Sequence, residues 1–396
     1  MLAVTAVRAG EETPVPPTSP SGEASLGSPD TVCLPSGWPW PGALFRGDVR
    51  RTGRTPYAGP SQGNLAWTFE TRGRIVADAA IDMDGNILVA SLDGFLYSLT
   101  PEGKERWRYG AGAALWATPA IGPDGTIYLG TDKGTLVALS ADGFEKWIFK
   151  IMGEPGERCM NDIDTSPIPT FQGTVYLTAG SRAYLIEGVG TVMGEADAGR
   201  KIFSSLALAG DGSLRFGSQG GGLWAAGSAM QTLWTLDTKA HSDATPVIDD
   251  AGNAYFGDDE GAVIKTDPAG SMLWKIALPG PVRAPLGLTR NGDVLVAASG
   301  ERSALFAVSP EQGRVIWSHA IDWQPGSLHG ISSGPLIDRD GNIFFGGRDG
   351  KLRALNPKGE SYWSVFLGDD IDAGPVLTRA GLLVVGADNG RVYAFR

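Results

Sequence analysis

One short turn recurs eight times along this chain of 396 residues, at nearly constant spacing. In each repeat an apolar strand ends in a small polar turn with glycine, and a second apolar strand follows. The turn glycines are Gly85, Gly125, Gly173, Gly212, Gly252, Gly292, Gly341 and Gly381. They are separated by 40, 48, 39, 40, 40, 49 and 40 residues. Eight units with a period near 40 are typical of a solenoid or a propeller.

Each repeat contains four short strands rather than a pair of helices. Residues 114–149 show this most clearly: three tight turns, PDG, DKG and ADG, separate four apolar runs. Four antiparallel strands joined by hairpins make a propeller blade, the architecture also found in WD40 proteins. The sequence therefore predicts one all-β domain over residues 43–396, an eight-bladed β-propeller.

A tryptophan marks the fourth strand of most repeats. These residues are Trp67, Trp107, Trp147, Trp234, Trp274, Trp317 and Trp363. They could serve as platforms for a ligand, but a large ring that recurs at one blade position is what packing between blades requires. We therefore interpret them as structural.

The two ends of the repeat array are incomplete in a complementary way. Trp67 has no first three strands before it, and the unit at residues 369–396 has three strands but no fourth. An open array would leave unpaired sheet edges. We therefore expect residues 65–70 to complete the last blade and close the ring.

Composition limits the kinds of partner. The 33 Lys and Arg against 44 Asp and Glu give a net charge of −11, which argues against nucleic acid and anionic membranes. No apolar run reaches the ~18 residues of a membrane span. Residues 1–42 are rich in Pro, Ser, Gly and Glu and are expected to form a disordered or loosely attached arm. Cys33 and Cys159 could pair as a disulfide or remain idle thiols.

The repeats resemble those of a known family. Residues 86–109 (NILVASLDGFLYSLTPEGKERWRY) and 126–147, together with the segment FRGDVRRTGRTPYAGP that leads into LAWTFETRG, are similar to PQQ-like (quinoprotein-type) propeller repeats. This family includes quinoprotein alcohol dehydrogenases and the envelope scaffold lipoprotein BamB. The resemblance implies the propeller fold over residues 45–396 and a periplasmic or secreted location, but it does not choose among functions.

Two loops between blades are longer than the rest. From the fourth-strand Trp to the position before the recurring Pro, five loops span 11 residues, whereas Trp147–Ser166 spans 19 and Trp317–Gly334 spans 17. The long loops, residues 150–163 and 320–331, lead into the third and seventh blades. These blades are opposite in a ring of eight, so both loops are expected at the same channel mouth.

The residues that line this mouth can be aligned from the repeat. Three residues before the Pro position lie Val76, Trp116, Asp164, Phe203, Asp243, Arg283, Ser332 and Asp372, and two residues earlier lie Asp162, His241 and Asp370. Alternate strand residues share a face, so the carboxylates converge. We predict a binding site formed by Trp116, Asp162, Asp164, His241, Asp243, Arg283, Trp323, His329, Asp370 and Asp372. The alternative is a hydrated polar channel without a ligand.

Three functions remain in competition. The first is a non-catalytic envelope scaffold, a monomer that binds a protein, a peptide or a cationic small ligand at the channel face. The second is a small-molecule enzyme with an acidic site at the mouth. The third is a PQQ-dependent dehydrogenase. This function is disfavoured because those enzymes carry a vicinal cysteine pair and a calcium site, whereas Cys33 and Cys159 are not adjacent in this sequence. The sequence shows no metal-spaced His pair, no nucleophile elbow and no cofactor motif, so no catalytic residues, metal, PQQ or calcium are expected.

Overall fold

A computed structural model describes residues 40–151, 162–188, 190–300, 302–321 and 330–396. Within these ranges the chain forms eight four-stranded antiparallel sheets and no helix. The sheets follow one another along the chain and form the eight blades of a propeller. The predicted fold class is confirmed, and no described helix is long and apolar enough to cross a membrane.

The first four blades use the strands in simple sequence order. The first contains β2 (Ala80–Ile81), β3 (Ile87–Ala90), β4 (Phe95–Leu99) and β5 (Glu105–Gly110); the second contains β6 (Ala120–Ile121), β7 (Ile127–Gly130), β8 (Thr135–Leu139) and β9 (Glu145–Lys150). The third contains β10 (Ile168–Pro169), β11 (Val175–Ala179), β12 (Arg182–Ile186) and β13 (Val192–Asp197); the fourth contains β14 (Ala207–Leu208), β15 (Leu214–Gly217), β16 (Gly222–Ala226) and β17 (Thr232–Asp237).

The fifth to eighth blades continue this order, except that the eighth blade takes its outer strand from the beginning of the chain. The fifth contains β18 (Val247–Ile248), β19 (Ala254–Gly257), β20 (Ala262–Thr266) and β21 (Met272–Ala277); the sixth contains β22 (Gly287–Leu288), β23 (Val294–Ala298), β24 (Ala304–Val308) and β25 (Val315–Ala320). The seventh contains β26 (Leu336–Ile337), β27 (Ile343–Gly346), β28 (Lys351–Leu355) and β29 (Ser361–Phe366); the eighth contains β30 (Val376–Leu377), β31 (Leu383–Gly386), β32 (Arg391–Phe395) and β1 (Leu65–Glu70).

Burial follows the position of a strand in its blade. The second and third strands are almost wholly buried, as in β3 and β4, because neighbouring blades cover both of their faces. The outer strands alternate exposed and half-buried residues, as in β21, because one face meets solvent. This explains why the middle strands read as continuous apolar runs in the sequence.

The recurring tryptophans pack between blades. The Trp274 indole Nε1 donates to the Pro310 carbonyl of the next blade, at 3.0 Å. A Cβ atom on Gly313, which has a φ of +59°, would lie only 2.8 Å from that indole, so this turn position favours glycine. The same indole-to-carbonyl bond joins Trp67 to Pro101, Trp107 to Ala141, Trp234 to Pro268 and Trp363 to Pro60. Trp147 and Trp317 pack against buried core residues, so the structural interpretation is confirmed for all seven tryptophans.

Ring closure occurs as the sequence predicts. Strand β1 is antiparallel to β32, with Leu65 opposite Phe395 and Glu70 opposite Arg391. Arg391 Nη2 also lies 2.6 Å from Glu70 Oε1. The edge that β32 would otherwise expose is thereby covered by the strand that precedes the first blade.

A segment that the sequence analysis did not place runs along the inner strands and closes one end of the channel. This segment, residues 42–55, is called the plug below. Its carbonyl groups accept hydrogen bonds from backbone amides of the inner strands of six blades. The pairs are Gly42–Ile81, Ala43–Ile121, Val49–Leu208, Arg50–Ile248, Thr52–Leu288 and Gly53–Ile337. The plug thus joins blades that are far apart in the sequence.

Two buried arginines fasten the plug to the ring. Arg51 is fully buried and donates to the carbonyls of Leu206 at 2.8 Å and Ser166 at 3.2 Å. Arg46 donates to the carbonyl of Pro335. Burial is the main cause that lowers the pKa of Arg46 to about 10 and of Arg51 to about 9.

The predicted N-terminal arm lies mostly outside the described residues, which begin at Trp40. Trp40 already contacts the ring, because its indole donates to the Ile81 carbonyl at 2.9 Å. The loose attachment stays a prediction for residues 1–39, whereas Trp40 and Gly42 are bonded to the first blade.

Candidate functional site

Each blade is preceded by a loop that directs alternate side chains to opposite sides. In the third blade Ile163 is fully buried, and in the eighth Ile371 is fully buried. These side chains fill the space beside Gly130 and Gly346 of the preceding blades, where a Cβ atom would clash. Since successive residues of an extended chain point to opposite sides, Asp164 turns towards the channel.

The eight aligned positions meet around a single cavity at this end of the channel. Its volume is about 590 Å³. The wall contains, in blade order from the first, Val76, Trp116, Asp164, Phe203, Asp243, Arg283, Ser332 and Asp372. Phe45 of the plug also lines the cavity. The plug therefore forms part of the cavity lining.

A repeated backbone bond brings a second ring of side chains to the mouth. In each blade an amide in the turn between the second and third strands donates to a carbonyl in the loop that leads into the same blade. The donor and acceptor pairs are Leu92–Arg74, Asp132–Ala114, Gly180–Asp162, Gln219–Lys201, Asp259–His241, Ser299–Pro281, Arg348–Gly330 and Asp388–Asp370. A second set of bonds joins turns to the following blade, because loop amides of that blade donate to carbonyls of the turn. The loop donors and turn acceptors are Ile75–Ala387, Ile163–Thr131, Ile202–Gly180, Ser242–Ser218, Val282–Asp258 and Ile371–Gly347. These turns consequently lie beside the cavity wall of the following blade.

Two of these turn residues form salt bridges with charged residues of the cavity wall. Asp259 accepts two hydrogen bonds from Arg283, at 2.8 and 2.7 Å. Arg348 donates two hydrogen bonds to Asp372, at 2.8 and 3.1 Å. Both wall charges are thus compensated by a bidentate partner.

A third salt bridge lies at the boundary between the eighth and first blades. Arg74 Nε donates to Asp388 Oδ2 at 2.7 Å. Burial, followed by the nearby Asp372, raises the pKa of Asp388 to about 6, although Arg74 acts in the opposite direction.

Asp164 is different, because its neighbouring turn residue is another carboxylate. Single oxygens of Asp132, Asp162 and Asp164 lie within 4.8 Å of one another. Lys201 Nζ lies 2.6 Å from Asp162 Oδ2 and 3.7 Å from Asp164 Oδ2. Burial is the largest cause that raises the pKa of Asp164, and the charge of Asp162 is the second. Lys201 thus forms salt bridges with two of the three carboxylates, Asp162 and Asp164.

Asp243 is the second wall carboxylate without a salt-bridge partner of its own. The turn residue beside it is Gln219, whose side chain forms a hydrogen bond with it. Among the described residues its Oδ1 is buried and has no hydrogen-bond partner, as is also true of Asp164 Oδ1. Burial, followed by the charge of Asp259, raises the pKa of Asp243. Within the described part of the chain, the wall carboxylates that lack a bidentate partner are therefore those of the third and fifth blades.

The predicted site residues divide into three groups. Trp116, Asp164, Asp243, Arg283 and Asp372 line the cavity. Three predicted residues precede the lining positions by two residues in the same loops: Asp162, His241 and Asp370. His241 Nδ1 accepts a hydrogen bond from the Gly220 amide at 2.8 Å. Trp323, His329, Cys33 and Cys159 fall outside the described residues, as do residues 152–161 and 322–329 of the two long loops. A binding role for any of them stays a prediction.

The sequence analysis missed the charged residues of the turns. Asp132, Asp259, Arg348 and Asp388 of the turns, together with Lys201 of the loop before the fourth blade, also determine the charge around the cavity. A signal was present, because Asp259–Arg283 and Arg348–Asp372 have the same separation of 24 residues. Reading it required knowing that one blade's turn meets the next blade's loop.

The cavity offers a poor chemical match to the cofactors of the quinoprotein enzymes. PQQ carries several carboxylates, and the described cationic lining residues, Arg283 and Arg348, are each already bonded to a carboxylate. The three clustered carboxylates could contribute oxygens to a calcium ion, but the Lys201 ammonium already lies among them. The residues do not fit either group.

The fold and this cavity define the class of protein: a closed eight-bladed β-propeller whose plugged channel opens as an acidic cavity on one face. A family model described as outer membrane protein assembly factor BamB matches residues 51–204 and 219–396. The chain belongs to this family, which confirms the resemblance to PQQ-like repeats.

Individual relatives support the same fold. Outer membrane protein assembly factor BamB of Burkholderia pseudomallei (strain K96243) is 30% identical over 167 residues, which are 42% of this chain and 42% of that protein. The crystal structure of BamB from Moraxella catarrhalis superposes with a TM-score of 0.67 at 17% identity, over 84% of this chain and 97% of the other. Quinohemoprotein alcohol dehydrogenase from Comamonas testosteroni gives a TM-score of 0.78 at 14% identity, over 89% and 80%. At such identities the structural matches show the fold alone.

Proposed function

We propose that this protein is a non-catalytic binding protein of the cell envelope, periplasmic or secreted, that holds a protein or peptide partner at its cavity face. The family membership supports an envelope role, since the relative from Burkholderia pseudomallei is named as an outer membrane protein assembly factor. That relative matches over less than half of its length, so its partners are not transferred to this chain.

The observation that carries the proposal is the uncompensated charge in a preformed cavity. Asp164 and Asp243 line the cavity, and the described residues give neither of them a bidentate partner such as the one Arg348 provides for Asp372. Partly burying a carboxylate costs free energy unless a cation pairs with it. A rigid ring that holds them beside half-exposed aromatic side chains is suited to receive a partner of positive charge.

The proposal includes no cofactor and no catalytic step. A quinone would place carboxylates against an acidic wall, and the paired arginines are not free to receive them. We also propose that the protein acts as a monomer, because the closed ring leaves no blade to be completed by a second copy.

The experiment is photo-crosslinking in the cells that make the protein. A photoreactive amino acid replaces Phe203 in the cavity wall or, as a control, Ile148 on the outer strand β9. The two residues have similar exposure, 36% and 48%. Crosslinked proteins are identified by mass spectrometry.

The proposal expects one envelope protein to be captured from position 203 and not from position 148. Capture of the same protein from position 148 alone would place the partner on the outside of the ring and refute the proposed surface. Capture from neither position, in a folded and exported protein, would refute a protein partner at the cavity face.

A further inference from the structure

We infer that the cavity wall of blades two to five is a seat for an organic cation, and that its occupant is an arginine or lysine side chain of an extended peptide segment. The inference rests on the proposed function and names the chemistry by which the partner is held. It concerns four neighbouring wall positions: Trp116, Asp164, Phe203 and Asp243.

Aromatic and acidic side chains alternate along this half of the wall. Trp116 is followed on the next blade by Asp164, then by Phe203 and then by Asp243. The two rings are 41% and 36% exposed although they line a cavity. Alternating π-faces and carboxylates suit an organic cation, because both attract positive charge while the rings also offer apolar contact.

The opposite half of the wall differs in charge. Arg283 and Asp372 are each tied up in a bidentate salt bridge, and Val76 and Ser332 are uncharged. The negative electrostatic potential of the cavity is therefore strongest beside the third and fifth blades. An incoming cation is expected to bind on that side of the cavity.

The protein itself shows how this wall holds an ammonium group. Lys201 Nζ lies 4.2 Å from the centroid of the Phe203 ring and 2.6 Å from Asp162 Oδ2. Its distance of 3.7 Å from Asp164 Oδ2 is the longer of the two, so Lys201 compensates Asp164 only in part. Asp164 and Asp243 both line the cavity, so a second cation can approach them from the cavity side.

The aromatic rings decide between an organic cation and a metal ion. Calcium and magnesium require six or more oxygen ligands, and two indole or phenyl faces supply none. A guanidinium or ammonium group on an aliphatic stem uses both kinds of side chain. The stem also reaches into a cavity that a folded domain could not enter.

The test uses short peptides on the intact protein at low ionic strength. The probe is acetyl-Gly-Arg-Gly-amide, the matched control is the same peptide with uncharged citrulline, and a third sample contains calcium chloride. Calorimetry and ligand-observed NMR report binding. Spermidine distinguishes a free polyamine from a peptide side chain.

Protein variants localise the binding. Asp164→Asn and Asp243→Asn are expected to weaken binding of the arginine peptide about tenfold each, and Phe203→Leu about threefold. Asp142→Asn, which removes one exposed carboxylate from a turn of the second blade, is the charge-matched control and is expected to leave binding unchanged. Melting curves establish that each variant is folded.

Equal binding of arginine and citrulline peptides would overturn the inference, as would equal weakening by Asp142→Asn. Binding of calcium or spermidine that depends on Asp164 and Asp243, without binding of the arginine peptide, would also overturn it. The proposed function fails separately, because it depends on a crosslink at position 203. A crosslinked partner with no arginine-peptide binding would leave a cavity-face binding protein that uses another chemistry.

Discussion

Leu65, in the first strand of the ring, lies opposite Phe395 in the last strand, so the two ends of the repeat array are joined in one blade. This pairing makes β1 a clasp. Removing residues 1–39 is expected to change the melting temperature little, because the deletion ends before the plug and the clasp. Removing residues 1–72 is expected to cause aggregation or a large loss of melting temperature, because it removes the plug and exposes the edge of β32. Equal melting of the two truncated proteins, measured by circular dichroism, would contradict closure.

Two adjacent arginines of the plug provide a test of its role. Arg51→Met leaves the buried carbonyls of Leu206 and Ser166 without their donor and is expected to cost about 3 kcal/mol of the free energy of unfolding. Arg50→Met removes an exposed salt bridge to Asp250 and is expected to cost less than about 1 kcal/mol. Urea denaturation measures both. Comparable losses of unfolding free energy for the two variants would mean that the Arg51 bonds do not stabilise the ring.

Two tryptophans in different positions separate packing from binding. Trp274→Ala removes an inter-blade ring and its bond to Pro310, so a loss of about 3 kcal/mol of unfolding free energy is expected. Trp116→Ala removes a ring that is 41% exposed in the cavity, and a loss below about 1 kcal/mol is expected. If Trp116→Ala proved as destabilising as Trp274→Ala, the cavity tryptophan would be a structural residue.

Stability is expected to fall as the pH rises from about 4.5 to about 7. Burial raises the pKa of Asp78 to about 6, as it does for Asp388. In this window the folded protein binds protons more tightly than the unfolded chain, so each step up in pH favours unfolding. The melting temperature should decline across the window, and Asp388→Asn should make the decline shallower. A melting temperature that rises through the same pH window would contradict the raised pKa values of these buried carboxyl groups.

The fold could be predicted because its determinants are local and repeated. Turn glycines, fourth-strand tryptophans and apolar runs each recur with the blade, so one correct reading applies to all eight. The clasp followed from counting strands at the two ends. The wall positions followed from the same register, because the side chain that faces the channel occurs once in every repeat.

The plug and the salt bridges could not be read in the same way. The plug lies before the repeats and its bonds are mainly between backbone groups, which leave no side-chain pattern. The sequence alone does not show which residues pack against each other. Without that information Arg46 and Arg51 are expected to be exposed, as most arginines are. The partners of Asp164 and Asp243 come from a different blade, so the sequence showed five converging carboxylates but not which of them are compensated.

The central claim is that uncompensated charge in the cavity holds the partner. Its most direct test is the affinity of the protein that crosslinks at position 203, measured for the wild type, the double variant Asp164→Asn/Asp243→Asn and the control Asp142→Asn at about 50 mM and about 200 mM salt. The account predicts that salt weakens binding to the wild type and to the control alike. It predicts that the double variant binds at least about tenfold more weakly, with a shallower dependence on salt. A folded double variant with the affinity and salt dependence of the wild type would contradict the account, and the acidic cavity would then be only a hydrated channel.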